Sequence, residues 1–190
     1  MSVSFSERDA LEGVMRLLVE RWSPRAFARF EVEDATLARL IDAARWSPSC
    51  FNEQPWRFYT SNRQTFQSHL ALLGEKNQTW CKDASVIGFL VGKKHFTHNG
   101  RENHSYALDC GAAWMAMTLQ ARTEGLYTHG MAGIQHEKIA AYFNLDTEQE
   151  EVLMGFAIGK LGDPAQLAEA PRAKEFPSAR KALQEIWRQR

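Results

Sequence analysis

Apolar residues recur along this chain with more than one period, and the changes of period outline its elements. From Glu7 to Glu20, the residues Leu11, Val14, Met15, Leu18 and Val19 share one helical face, with Ser6 or a neighbour as a candidate cap. The stretch "VEDATLARLIDAARWSP" predicts a second helix with Leu37, Leu40, Ile41 and Ala44 as its stripe and Pro48 as its stop. "WRFYTS" predicts a short aromatic strand, and "RQTFQSHLALLG" a helix halted by Gly74. "ASVIGFLVG" is apolar throughout, as befits a strand buried on both faces. The polar, aperiodic "KKHFTHNGRENHS" predicts a loop able to lie over a site.

The next helix, "YALDCGAAWMAMTLQARTEG", is apolar almost all the way round. A surface helix would not carry such a pattern. Small residues at Gly111, Ala112, Ala113 and Ala116 let another backbone approach, so a partner subunit is expected there. "LYTHGMAGI" predicts a strand entering a glycine turn, "QHEKIAAYFN" a helix, and "EVLMGFAIGKLG" the last strand. A tail with three prolines from Asp163 to Pro177 is expected to wrap a surface, and "SARKALQEIWRQR" predicts a closing helix. Strands and helices intersperse without strict alternation, which predicts an α+β layered domain over residues 1–190.

Composition narrows the function classes. The 190 residues carry 44% hydrophobic and 24% charged side chains, enough for one substantial core. A net charge of +0 argues against a general nucleic-acid or membrane surface, yet permits a local basic pocket. Cys50, Cys81 and Cys110 are too few and too scattered for a disulfide framework. The polar opening "MSVSFSERDALEG" is unlike a signal peptide, and no apolar run is long enough to span a bilayer; a cytoplasmic location is expected.

Several candidate motifs fail on spacing. "GFAIGKLG" lacks the glycine spacing and the Ser or Thr of a phosphate loop, and reads as a strand ending in a turn. His95, His98 and His104 fit no common zinc pattern. Asp109 and His129 form no recognisable triad with any serine, so neither a nucleophile nor a metal site is assigned. His129 is nevertheless the nearest candidate proton donor, since it precedes the Gly-Met-Ala-Gly turn.

Two segments carry chemistry. In "ERWSPRAF", Pro24 disfavours helix at Ser23, so Arg21, Ser23, Arg25 and nearby backbone N–H groups can face one oxygen-rich anion. A solvated basic turn would account for the octapeptide alone. "SPSCFNEQPW" offers the neutral groups Ser49, Asn52 and Gln54, which suit a polar heterocycle or, equally, a turn satisfying its own backbone.

Taken together, "RWSPRAF" and "SPSCFNEQPW" resemble the two opening motifs of the nitroreductase family of flavoproteins, and the likeness extends over nearly the whole chain. Cys50 stands where the family motif has a second serine. The resemblance implies a layered fold with a central, mostly antiparallel sheet flanked by helices, and a homodimer with two FMN sites at the subunit interface. It implies that Arg21, Trp22, Ser23 and Arg25 bind FMN and that Arg172 and Lys174 of "APRAK" complete its phosphate cage. Pro48, Ser49, Cys50 and Asn52 would reach the cofactor from the other subunit. Asn77 would stand near the flavin, and Gly130, Met131, Ala132 and Gly133 would lie along its ring. Ala132 replaces an acidic residue that many members carry, so only its main chain can contribute. NADH or NADPH would supply hydride, and nitroaromatics, quinones or similar small acceptors would receive it in a ping-pong cycle. Another FMN redox reaction, or flavin storage with little turnover, is also compatible with the family scaffold.

Overall fold

The computed structural model describes residues 3–189. In chain order the regular elements are α1 (Arg16–Glu20), β1 (Phe27–Ala28), α2 (Asp34–Arg45), β2 (Trp56–Thr60), α3 (Phe66–Ala71), α4 (Glu75–Cys81), β3 (Val86–Lys93), α5 (Tyr106–Thr123), β4 (Tyr127–Met131), α6 (His136–Phe143), β5 (Glu150–Leu161), α7 (Glu169–Arg172) and α8 (Leu183–Ile186). All strand pairings are antiparallel. The twelve-residue β5 is the axis of the sheet: it pairs with β3, with β4 and, at its last residues, with β1, while β2 extends the sheet beyond β3.

Helices cover both faces, which explains the uninterrupted apolar run of β3. Its Ile87, Phe89 and Val91 join Leu73, Trp80 and Ile139 in one buried cluster; its Val86 and Leu90 join Leu40, Cys110, Met117 and Phe156 in the other. Close packing demands Gly88, where a Cβ would fall 2.3 Å from the Phe156 ring. A buried hydroxyl pair, Thr118 to Thr128 at 2.9 Å, ties α5 to β4. No helix among the described residues is long and apolar enough to cross a membrane.

Three helix expectations need correction. The Glu7–Glu20 helix shrinks to Arg16–Glu20 because Gly13 takes φ 86° and breaks it. Leu11, Val14 and Met15 are consequently exposed, since a short amphipathic helix has little stability without a surface to bury its stripe. The closing helix contracts to Leu183–Ile186 for the same reason, leaving Ile186 and Trp187 exposed, while Arg190 lies outside the described residues. Gly74 does end one helix, but it also caps the next, α4, whose "EKNQTWC" has too little periodicity to be read as a helix. The glycine here is steric: its N–H bonds the Gly133 carbonyl at 2.8 Å, and a Cβ would meet that oxygen at 3.0 Å.

Candidate functional site

The chain leaves α1 in extended backbone at Arg21 and enters the basic turn. Trp22 points inward, 5% exposed, its ring edge-on to Tyr127 at 6.2 Å; its indole N–H is buried without a partner among the described residues. Arg21 and Ser23 stay half-buried at the surface, and the Arg21 guanidinium donates to the Ser23 hydroxyl at 3.3 Å.

Two groups brace this turn from behind. The His129 ring, on β4, donates from Nδ1 to the Pro24 carbonyl at 2.9 Å and packs on Trp80 at 4.6 Å. Burial, helped by the Arg25 and Arg21 charges, overcomes that hydrogen bond and pushes the His129 pKa down to about 4. The ring is neutral at pH 7, with its one proton committed to a backbone carbonyl. It braces the turn. From the tail, the Glu175 carboxylate accepts from the Arg25 N–H at 2.9 and 3.0 Å and from the Ala26 N–H at 2.8 Å. Those two amides are therefore engaged within the chain.

Arg8 donates to the carbonyls of Val19, Arg21 (2.7 Å) and Ser178 (3.2 Å), so one guanidinium joins the N-terminal segment, the end of α1 and the tail. Ser178 brings Arg180 into the same neighbourhood, where it bonds Ser178 and Ala179 carbonyls. Burial first, then the Arg180 charge, lowers the Arg21 pKa. Among the described residues, none of Arg8, Arg21, Arg25 and Arg180 forms an ion pair with a carboxylate. Guanidinium groups gathered without ion-pair partners fit a dianionic phosphate.

The Arg172 guanidinium turns back onto the Leu167 and Ala165 carbonyls, and Arg172 and Lys174 are both at the surface, Arg172 half-buried and Lys174 exposed. Their segment meets the basic turn through Glu175. The basic residue that the sequence reading passed over is Arg180, whose neighbour Lys181 makes a visible tail pair; Glu175 carried no signal at all.

Asn77 and Gly133 do come together. The Asn77 side-chain amide donates to the Gly133 carbonyl at 2.9 Å, and a Cβ on Gly133 would lie 2.7 Å from that nitrogen. Ala132 and Gly133 are exposed, whereas Met131 is buried with its sulfur 3.5 Å from Cys81 Sγ. Gly130 is required by packing, because a Cβ would fall 2.4 Å from Met154 Cε. Strand β4 thus carries the His129 brace, and the Gly133 turn follows two residues beyond its end.

The remaining segment is built differently. Phe51, Asn52 and Gln54 all adopt positive φ, at 51°, 55° and 51°. Left-handed backbone is uncommon outside glycine and costs of order 1–3 kcal/mol per residue. The Gln54 N–H donates to Ser49 Oγ at 3.0 Å, and the Cys50 N–H to the buried Asp109 carboxylate at 3.1 Å. Glu53 accepts from the Thr97 N–H at 3.0 Å and so ties the polar loop to this turn. Phe51 projects outward, 80% exposed, against Phe96 and His98. No hydrogen bond among the described residues joins Pro48–Asn52 to the basic turn of the same chain. A surface hollow of 1040 Å³ between α2, α3 and β3 includes none of the predicted binding residues.

The sheet wrapped by helices, with an arginine cluster at the entry of its first strand, defines an α+β protein. Comparison with known proteins gives this class its family. The family model "Nitroreductase family" matches residues 18–67 and 60–160, and the chain belongs to that family. It is similar over 98% of its length to a structure described as "the oxidoreductase containing FMN", at 34% identity, with 96% of that chain covered and a TM-score of 0.92. A nitroreductase family protein from Clostridium difficile 630 shares the fold at 23% identity and TM-score 0.69, over 90% of this chain and 95% of that one. In sequence the chain is 24% identical over 168 residues to "Putative NAD(P)H nitroreductase YdgI" of Bacillus subtilis (strain 168), covering 70% of this chain and 80% of the relative.

Proposed function

We propose that the protein is an FMN-dependent oxidoreductase that takes hydride from NADH or NADPH and passes it to a small electron-poor acceptor such as a nitroaromatic or a quinone. The observation that carries the reading is the arginine cluster around Arg21, whose guanidinium groups form no ion pair with a carboxylate among the described residues. The FMN named for the 34% identical structure supports it. Arg21, Ser23 and Arg180 would hold the phosphate end, with Arg25 beside it. Asn77 and the Ala132–Gly133 backbone would meet the ring. FMN, when bound, supplies the two-electron chemistry. The chain's own groups bind and orient: His129 fixes the turn, Gly133 leaves its ring-facing backbone bare, and no side chain need act as an acid or base.

Pro48, Ser49, Cys50 and Asn52 would serve the site of a second copy, in a homodimer. The open face of α5, with Leu108 77% exposed and Gly111 meeting nothing, supports that assembly, as do the exposed Leu11, Met15 and Trp187. Such a dimer should bury upwards of about 2,000 Å². Sedimentation at micromolar concentration should give one dimeric species; an active monomer with FMN bound would contradict it.

The purified protein should be yellow or become so with FMN, one per subunit. Under anaerobic conditions NADH or NADPH should bleach it, and an added quinone should restore the colour. Bound flavin that no nicotinamide bleaches would favour a storage protein. If both nicotinamide and acceptor occupy one place in turn, double-reciprocal plots should be parallel.

A further inference from the structure

The geometry points to Glu175 as a positioning residue: we propose that its carboxylate, seated on two amides of the basic turn, moors the C-terminal tail so that Arg180 is presented beside Arg21. The inference rests on the proposed reading of that cluster as a phosphate site. Between Leu167 and Arg180 the tail has little regular structure, only α7 of four residues, and most of its side chains are exposed. The twelve residues between them would sweep a wide volume if untied, and each ordered residue costs conformational entropy. Glu175 ties it at three N–H to oxygen contacts of 2.8 to 3.0 Å with Arg25 and Ala26. Pro177 is buried just beyond, and the Ser178 carbonyl is caught by Arg8, which also holds the Arg21 carbonyl. Arg180 follows two residues later. Each link shortens the free arm that carries it.

Glu175 is itself negative, and a carboxylate near a phosphate would ordinarily weaken binding. Here both its oxygens are directed at backbone N–H groups, and it forms no ion pair with an arginine among the described residues, so the guanidinium N–H groups are not taken up by it. The turn is thereby clamped from both polarities: its carbonyl by His129, its amides by Glu175. Neither group needs to touch the ligand.

A double-mutant cycle read by FMN titration of apoprotein tests this. Glu175→Ala should weaken FMN by roughly tenfold or more, the worth of a charge-assisted bond. In an Arg180→Ala background the same change should cost severalfold less, leaving only the loosened clamp on the turn, because there is no longer an Arg180 to position. Glu175→Gln, which keeps a neutral acceptor and the shape, should fall between. Amide hydrogen exchange on ligand-free protein gives a second readout: protection at Arg25, Ala26 and residues 176–181 should drop in Glu175→Ala. Additive losses in the cycle, or FMN binding unchanged or tightened by Glu175→Ala, would overturn the proposal, as would unchanged exchange. Wild-type protein that fails to bind FMN while Glu175→Ala still loses tail protection would instead sink the flavin reading and leave the mooring standing.

Discussion

The turn at Ser23–Ala26 and the turn at Ser49–Gln54 are both polar, proline-flanked and drawn from motifs of one family, yet they are built on opposite principles. The first has no left-handed residue; it is sandwiched between a buried histidine and a carboxylate from the tail, and Trp22 and Ala26 are 5% and 2% exposed. The second packs three left-handed residues into four positions and turns a phenylalanine to solvent. The chain completes the first turn from its own interior. It holds the second in strain with hydrogen bonds to Ser49, Asp109 and Thr97, and aims it away from the body of the subunit. A turn strained outward in this way suits contact with something beyond its own subunit, as the dimer reading requires.

The comparison breaks most readily at His129. Its pKa is near 4 in the folded protein and about 6.5 unfolded, so between those values the unfolded chain binds the extra proton. Stability is complete above about pH 6.5, falls as pH drops toward 4, and loses roughly 3 kcal/mol through this group. His69, also pushed down by burial, acts in the same direction. Urea unfolding of wild type and His129→Asn at several pH values isolates the His129 share: the variant should show the shallower dependence, and identical slopes would mean that the first turn is not braced as described.

A smaller effect sharpens the other side. Phe51→Gly removes the left-handed penalty at the bulkiest of the three residues while adding unfolded-state freedom. The two nearly offset, so a gain of up to about 1 kcal/mol is expected in the isolated protein. Turnover with aromatic acceptors should fall in the same variant. A loss of stability of more than about 1 kcal/mol would show that the phenyl ring, through Phe96 and His98, already repays its strain within the subunit.

Much of this was legible in the sequence, and the limits have physical causes. The continuous apolar run of β3 and the apolar stretches of β4 and β5 declare themselves because burial on the sheet is satisfied inside one chain. The helices at both ends misled, since Leu11, Val14, Ile186 and Trp187 form stripes whose covering surface the single chain does not supply. The tail was less legible: a basic tail has no periodicity to say which residue comes back, and Glu175 and Arg8, which tie the tail to the turn, act on backbone groups that no side-chain pattern records.

The most direct test is a fluorescence titration of FMN into apoprotein, wild type against Arg21→Ala. The cluster account predicts at least a tenfold loss of affinity in the variant, in line with a charge-assisted contact of about 1.5–3 kcal/mol, with thermal unfolding of the apoprotein unchanged or slightly raised because a like-charge neighbour is gone. Equal affinity in the two proteins would contradict it, and would remove the arginine cluster from the binding site.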